Sequence, residues 1–153
     1  KADWETLGAK ISLQIFETGD LNQNIIRPRK YDALLFGEIV GRDLDLYPFW
    51  HSSQRNDPGL NIALYVNSTA DKLLEDARAT SDLTRRDKLY VSFAEEVEKD
   101  VPVIFTYSPN FLYVMKPTVH GFSLGFLTNP SERFGNVYEW HTETDNVWNI
   151  FTK

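Results

Sequence analysis

Two apolar stripes at helical spacing constrain this chain more than any other feature. Ala70, Leu73, Leu74 and Ala77 fall on one face of a helix, and Leu89, Tyr90, Phe93, Ala94 and Val97 repeat the pattern. Glu95, Glu96, Glu98 and Lys99 occupy the opposite side of the second stretch. Ser68-Thr-Ala-Asp71 resembles a capping box, in which a hydroxyl and an acidic side chain satisfy the free N–H groups of a first turn. Thr80-Ser81-Asp82 separates the two helices and can cap the second, and Pro102 ends it.

Strand signals flank the helices. Ile11-Ser-Leu-Gln-Ile15 alternates apolar and polar residues, the period of a half-buried strand, and Ala33 to Phe36 is the unbroken apolar run of a strand covered on both faces. Between them, Gly19-Asp20 breaks the first strand and residues 20–26 form a short helix with Asp20 as its N-cap. Strand, helix, strand within about 30 residues is one βαβ unit, which implies parallel pairing and a right-handed crossover. Further on, Val103–Tyr107 and Phe111–Met115 read as a hairpin turning at Ser108-Pro109-Asn110. Pro117, Gly121, Gly125 and Pro130 then punctuate a loop-rich region. The tail carries Phe134, Val137, Tyr138, Trp140, Val147, Trp148 and Phe151, too many large apolar groups for a free end.

Composition narrows the classes of function. At 153 residues the chain fits one ordinary domain, and its formal charge of −6 disfavours a nucleic-acid partner. No cysteine is present, which removes disulfides, thiolate metal sites and thiol nucleophiles. No apolar run approaches the roughly 18 residues a membrane span needs. The first residues, Lys1-Ala2-Asp3-Trp4, show neither an initiating Met nor a signal peptide and read as a cut from something longer.

The chemical motifs are incomplete. Asp43-x-Asp45 opens like a calcium loop, but the sixth position is Pro48 where a Gly is needed and the twelfth is Gln54 where a Glu is needed. A turn and helix start with carboxylates capping free N–H groups accounts for the same pair. His51-Ser52 lacks the nucleophile elbow, and His51, His120 and His141 never fall four apart on one helix face. There is no phosphate-binding loop. Asn67-Ser68-Thr69 is formally a glycosylation acceptor, though the same residues start a helix. Arg133-Phe134 and Glu139-Trp140 offer a binding face or ordinary packing. What remains is position: Phe36 to Asn61 begins at the carboxyl end of a strand, where ligands of open α/β sheets gather. Gly37 leaves room for another backbone, Gly41 permits a turn, and Tyr47, Phe49 and Trp50 supply flat apolar walls, with Trp50 alternatively anchoring the core.

Tyr31-Asp-Ala-Leu-Leu-Phe-Gly37, the run from Gly41 to Gln54 (GRDLDLYPFWHSSQ) and Gly59-Leu-Asn61 resemble the C-terminal half of family 5 extracellular solute-binding proteins. These are the oligopeptide and dipeptide receptors of ABC importers. The likeness continues through Tyr65-Val-Asn67, Asp71 to Glu75, Ala77-Arg78, Arg86, Leu89-Tyr90, Asp100-Val-Pro102, Val119-His-Gly121 and Arg133 to Val137 with Trp140.

The resemblance implies an α/β fold: one lobe of a type II periplasmic-binding-protein-like fold, with a mixed sheet flanked by helices. Residues 1–153 would form the second, C-terminal lobe, and the stretch from about 109 to 153 a return segment packing toward the first lobe. It implies a non-enzymatic receptor without cofactor, metal or catalytic residues, outside the cytoplasmic membrane, secreted or lipid-anchored. Peptide would be held by Leu35, Phe36, Gly37, Glu38, Ile39, Val40 and Gly41 through backbone pairing, by Asp43 and Glu38 as charge partners, and by Trp50 as a wall. The partners implied are a peptide, the first lobe and an ABC-transporter permease. Three departures stand out: Asp43 lies about two residues from the family's amine-binding Asp, Glu38 replaces a frequent aromatic, and Asp43-Leu-Asp-Leu46 replaces Asp-Pro-Asp-Pro. Sugars, nickel complexes and other small solutes are alternative ligands within the fold. A metal-dependent hydrolase using Asp43, Asp45 and His51, or an adhesion module with aromatic interfaces, are the alternatives outside it.

Overall fold

The computed structural model of the chain describes residues 1–123, 125 and 127–142. Its helices are α1 (Ala2–Thr6), α2 (Thr18–Asp20) running into a π-helical turn (Leu21–Ile26), α3 (Tyr47–Trp50), α4 (Ser68–Ala79) and α5 (Leu83–Asp100). Three 3-10 turns (Ser52–Gln54, Pro130–Phe134, Val137–Glu139) and two short strands, β1 (Val119–His120) and β2 (His141–Thr142), complete the described elements. These residues fall into two compact units: Lys1–Phe36 with Asp45–Ile104, and Gly37–Leu44 with the described residues from Phe105 onward.

In the first unit, α4 and α5 form as their apolar periodicity requires and pack on each other. The core is Tyr65, Ala70, Leu74, Phe93 and Val97, with Leu46, Trp50, Leu73, Tyr90 and Val103 packed against it. Ala94, expected on the buried stripe, is exposed. The caps differ in detail from the sequence reading. Asn67, not Ser68, caps α4: its Oδ1 accepts the N–H groups of Thr69 (2.8 Å) and Ala70 (3.0 Å). Asp71, freed from a capping box, reaches out to Ser52 instead, accepting from its N–H at 2.8 Å and its hydroxyl at 2.5 Å. Asp82 caps α5 through the Arg85 N–H at 3.2 Å. At the earlier helix, Glu17 replaces the expected Asp20 as cap, accepting from Gly19 N–H at 2.8 Å and, more weakly, Asp20 N–H at 3.4 Å.

The strands expected at residues 11–15, 33–36, 103–107 and 111–115 are not formed among the described residues, and neither the βαβ unit nor the hairpin is present. The described sheet is one antiparallel pair, Val119 opposite Thr142 and His120 opposite His141. Alternation makes a segment suited to a strand, but a ladder also needs a partner edge in register, which period alone does not supply. The apolar residues of these segments stay exposed, Ile15 at 88%, Leu35 at 85% and Val114 at 93%, so Ala33–Phe36 is not the doubly covered strand its sequence suggested.

In the second unit an aromatic cluster replaces a sheet core. Trp140 packs on Phe122 (5.3 Å, edge to face) and on Phe134 (5.7 Å), and Phe122 touches Tyr113 (5.7 Å). The Arg133 guanidinium lies over the rings of Phe134 (4.1 Å) and Tyr113 (5.0 Å). Gly121 has φ +78°, and a Cβ there would stand 2.2 Å from the Glu139 carbonyl, so this turn admits no side chain. Val147, Trp148 and Phe151, counted above with the aromatic tail, lie outside the described residues.

Candidate functional site

Leu35 and Phe36 belong to the first unit, Gly37–Gly41 and Asp43 to the second, and Trp50 to the first. Residues 34–40 adopt neither helix nor strand, and among the described residues their peptide groups carry no backbone–backbone hydrogen bond. The segment ends in a turn closed by the Leu44 N–H on the Gly41 carbonyl at 3.2 Å. Among the described residues, and apart from the chain neighbours, no heavy atom lies within 4 Å of a Cβ built at Gly37 or Gly41. Neither glycine has the positive φ that a turn at Gly41 suggested; Leu44 does, at 22°.

The side chains of the segment differ in environment. Leu35 and Ile39 are exposed, Val40 is half-buried, and Asp43 is exposed. Glu38 is accessible to solvent, yet partial loss of hydration holds its carboxyl above the usual carboxylate range. Trp50 sits at the edge of the core, edge-on to Tyr65 (6.2 Å) and Phe93 (5.8 Å).

Asp45 and His51 serve local structure. The Asp45 carboxylate accepts the Tyr47 N–H at 3.2 Å and pairs with Arg78, whose Nη2 donates at 2.7 Å. Arg78 in turn lies 4.3 Å over the Tyr47 ring. His51 is 8% exposed and stacked on Tyr47 at 4.1 Å. Its Nδ1 accepts the Ser53 N–H at 3.1 Å, capping the turn Ser52–Gln54, and lies 2.8 Å from Ser53 Oγ. Accepting a backbone N–H leaves Nδ1 without a proton and puts the proton of the neutral ring on Nε2, which faces Glu75 at 3.5 Å and Asp71 at 3.9 Å. The bond from His51 to a serine two residues on follows from that cap. Among the described residues, no group of three or more His, Asp or Glu side chains is disposed to hold a metal.

Residues that sequence reasoning did not single out build the second unit's polar centre. Arg42 Nη2 donates to Glu132 at 3.0 Å, joining positions 90 apart in the chain. Glu132 also accepts from Thr128 Oγ1 (2.6 Å), Thr128 N–H (3.0 Å) and Asn129 Nδ2 (3.0 Å). The Thr128 hydroxyl and N–H, then Arg42, hold its carboxyl down at about 2. Beside this pair lies an open recess of about 340 Å³ whose lining includes Ser123, Asn136 and Glu139. No signal in the sequence links Arg42 to Glu132, because the pairing depends on how two irregular segments meet.

The chain matches no family model and no solved structure. It is similar to curated proteins, however. It is 30% identical over 135 residues to the oligopeptide-binding protein AppA of Bacillus subtilis, covering 88% of this chain and 24% of that protein. It is 26% identical over 127 residues to a dipeptide-binding protein of Pseudomonas aeruginosa, covering 81% of this chain and 23% of the relative. A shorter match, 32% over 74 residues, joins 48% of this chain to 14% of the probable D,D-dipeptide-binding periplasmic protein DdpA of Escherichia coli. The chain therefore spans about a quarter of the length of the first two of these relatives. Over the span it shares with them, the chain is similar to these peptide-binding proteins and resembles the family 5 extracellular solute-binding proteins.

Proposed function

We propose that this chain is part of the solute-binding component of an ABC importer, one that captures peptides in a cleft between two lobes and delivers them to a membrane permease. The observation that carries the proposal is likeness over 88% of the chain to a protein named for oligopeptide binding, joined by further relatives named for dipeptides. In this reading the chain is the second lobe, with residues from about 109 onward returning toward the first. The exposed apolar residues of the extended segments, such as Ile15 and Val114, support a larger sheet in the complete protein. The receptor works on the periplasmic or extracellular side of the membrane and turns over no substrate. Among the described residues no helix is long and apolar enough to cross a membrane.

Binding uses the backbone of Phe36, Gly37, Ile39 and Gly41. Residues 34–40 offer peptide groups that no backbone neighbour among the described residues engages, the requirement for adding a ligand strand. Such pairing reads main chain and tolerates varied side chains, which suits a receptor for many sequences. Asp43 is the partner for a ligand amine, and Glu38 a second acidic group. Mass spectrometry of ligand released from the complete protein after native purification tests the proposal: a set of short peptides is expected. A sugar or a nickel complex as the sole bound species would overturn it.

A further inference from the structure

We propose that Arg42 and Glu132 form a clamp that positions the Gly37–Gly41 backbone for ligand. This rests on the peptide-receptor reading and identifies positioning residues that touch no ligand themselves.

Among the described residues, 34–40 belong to no ladder and make no backbone–backbone hydrogen bond. Backbone that no ladder fixes costs conformational entropy to order, and a ligand that pairs with it must offset that cost. Arg42 follows Gly41 directly, and its side chain runs to Glu132. Glu132 is a firm anchor. Its two oxygens accept from three donors within Thr128 and Asn129, on the approach to the turn Pro130–Phe134. That turn is fixed on both sides. The Asn129 Oδ1 accepts the Ser131 N–H at 3.1 Å, and Arg133 lies over the rings of Phe134 and Tyr113. Asn136, just beyond, donates to the Gly121 carbonyl at 2.8 Å and accepts the Trp140 indole N–H at 2.9 Å. Rigidity thus passes from the aromatic cluster through Glu132 to Arg42, and from Arg42 to the neighbouring peptide groups.

The Arg42 side chain is 67% exposed and that of Glu132 is 24% exposed, so the pair is partly screened. Its effect on affinity is correspondingly modest, and it is salt-dependent. A purely structural ion pair would share the salt dependence but would lower the melting temperature without a selective effect on binding.

The experiment uses the complete protein. Because this chain has no cysteine, a spin label at Ile39→Cys reports on the segment without interference from any thiol of the chain. Arg42→Ala should increase label mobility, and Arg42→Lys should largely restore the native spectrum. Raising salt should mobilise the label in the parent and leave the Arg42→Ala spectrum unchanged. Without the label, Arg42→Ala should weaken binding of a co-purified peptide roughly twofold to fivefold with an unchanged melting temperature, the range expected of a partly exposed ion pair. If Arg42→Ala fails to fold, Glu132→Gln tests the same link. Label mobility that is indifferent to both substitutions overturns the clamp. A parent protein that takes no peptide overturns the receptor reading instead, and the label measurement still decides the clamp.

Discussion

Asn61 grips the Tyr65 backbone from both sides: its Nδ2 donates to the Tyr65 carbonyl at 3.0 Å, and its Oδ1 accepts the Tyr65 N–H at 3.1 Å. The same Nδ2 reaches the carbonyls of Trp50 (3.1 Å) and His51 (3.2 Å), all with no solvent exposure of Asn61. One amide thus ties the end of α3 to the loop leading into α4. Asn61→Ala removes the partner of the buried Tyr65 N–H and carbonyl, and should lower stability by about 3 kcal/mol. Urea unfolding followed by tryptophan fluorescence measures this. A loss near zero would mean that the loop relaxes to find other partners.

Trp50 stands in two roles, as a candidate ligand wall and as a neighbour of Tyr65 and Phe93 at the core's edge. The packing predicts a cost that needs no ligand. Trp50→Ala should destabilise the ligand-free protein by about 2–3 kcal/mol, somewhat below the range for a fully buried tryptophan because Trp50 is only half-buried. Trp50→Phe should recover most of that. Calorimetry on ligand-free protein provides the check, and unchanged melting of Trp50→Ala would leave the wall as its principal role.

Asp100 closes α5 with a negative charge at the negative end of the helix dipole, an unfavourable placement by itself. It is compensated by the Asn67 Nδ2 at 2.7 Å and the Tyr65 hydroxyl at 2.8 Å, which hold the Asp100 carboxyl below its ordinary range. On the other side of the bond, burial first and then Asp100 push the Tyr65 phenol up. For a carboxyl depressed on folding, the stabilisation is present above the unfolded value of about 3.9 and is lost as pH falls through the lower folded value. Asp100→Asn should therefore be less stable than the parent at neutral pH, with the gap narrowing as pH drops below about 4. Thermal melts across that window test the sign: a gap that widens in acid would contradict it.

The helices were legible because their information is local. Periodicity in Ala70, Leu74, Ala77, Phe93 and Val97 requires one apolar face and the structure buries it, while Asp82 caps where a cap was expected. The cap of α4 was displaced by one residue because Asn67 competes with Ser68 for the same N–H groups, and the sequence does not say which side chain wins. Strand pairing was not legible. Leu13 and Ile15 have the right alternation, and Leu112 lies in an apolar run suited to a strand, but their ladder partners are not a property of the segments themselves. The candidate binding stretch was found through family resemblance and its place after an apolar run, not through chemistry. Its anchor at Glu132 was invisible because 90 residues separate it from Arg42.

Val101 follows α5 with φ 49° and ψ 48°, donating its N–H to the Val97 carbonyl at 2.9 Å. This is the left-handed cap that usually falls to Gly, taken here by a β-branched residue directly before Pro102. The Cβ clash in that region costs about 1–2 kcal/mol for an L-residue. Val101 is 63% exposed, so removing its side chain sacrifices little packing. Against the relief stands the greater freedom of glycine in the unfolded chain, worth about 0.5–1 kcal/mol. Val101→Gly should therefore raise stability by about 0.5–1 kcal/mol, while Val101→Ala, which keeps a Cβ at positive φ, should gain less. A rise in melting temperature in the order Gly above Ala above parent would confirm backbone strain at this cap. The reverse order would show that the valine methyl groups contribute more through contact than the backbone loses through strain.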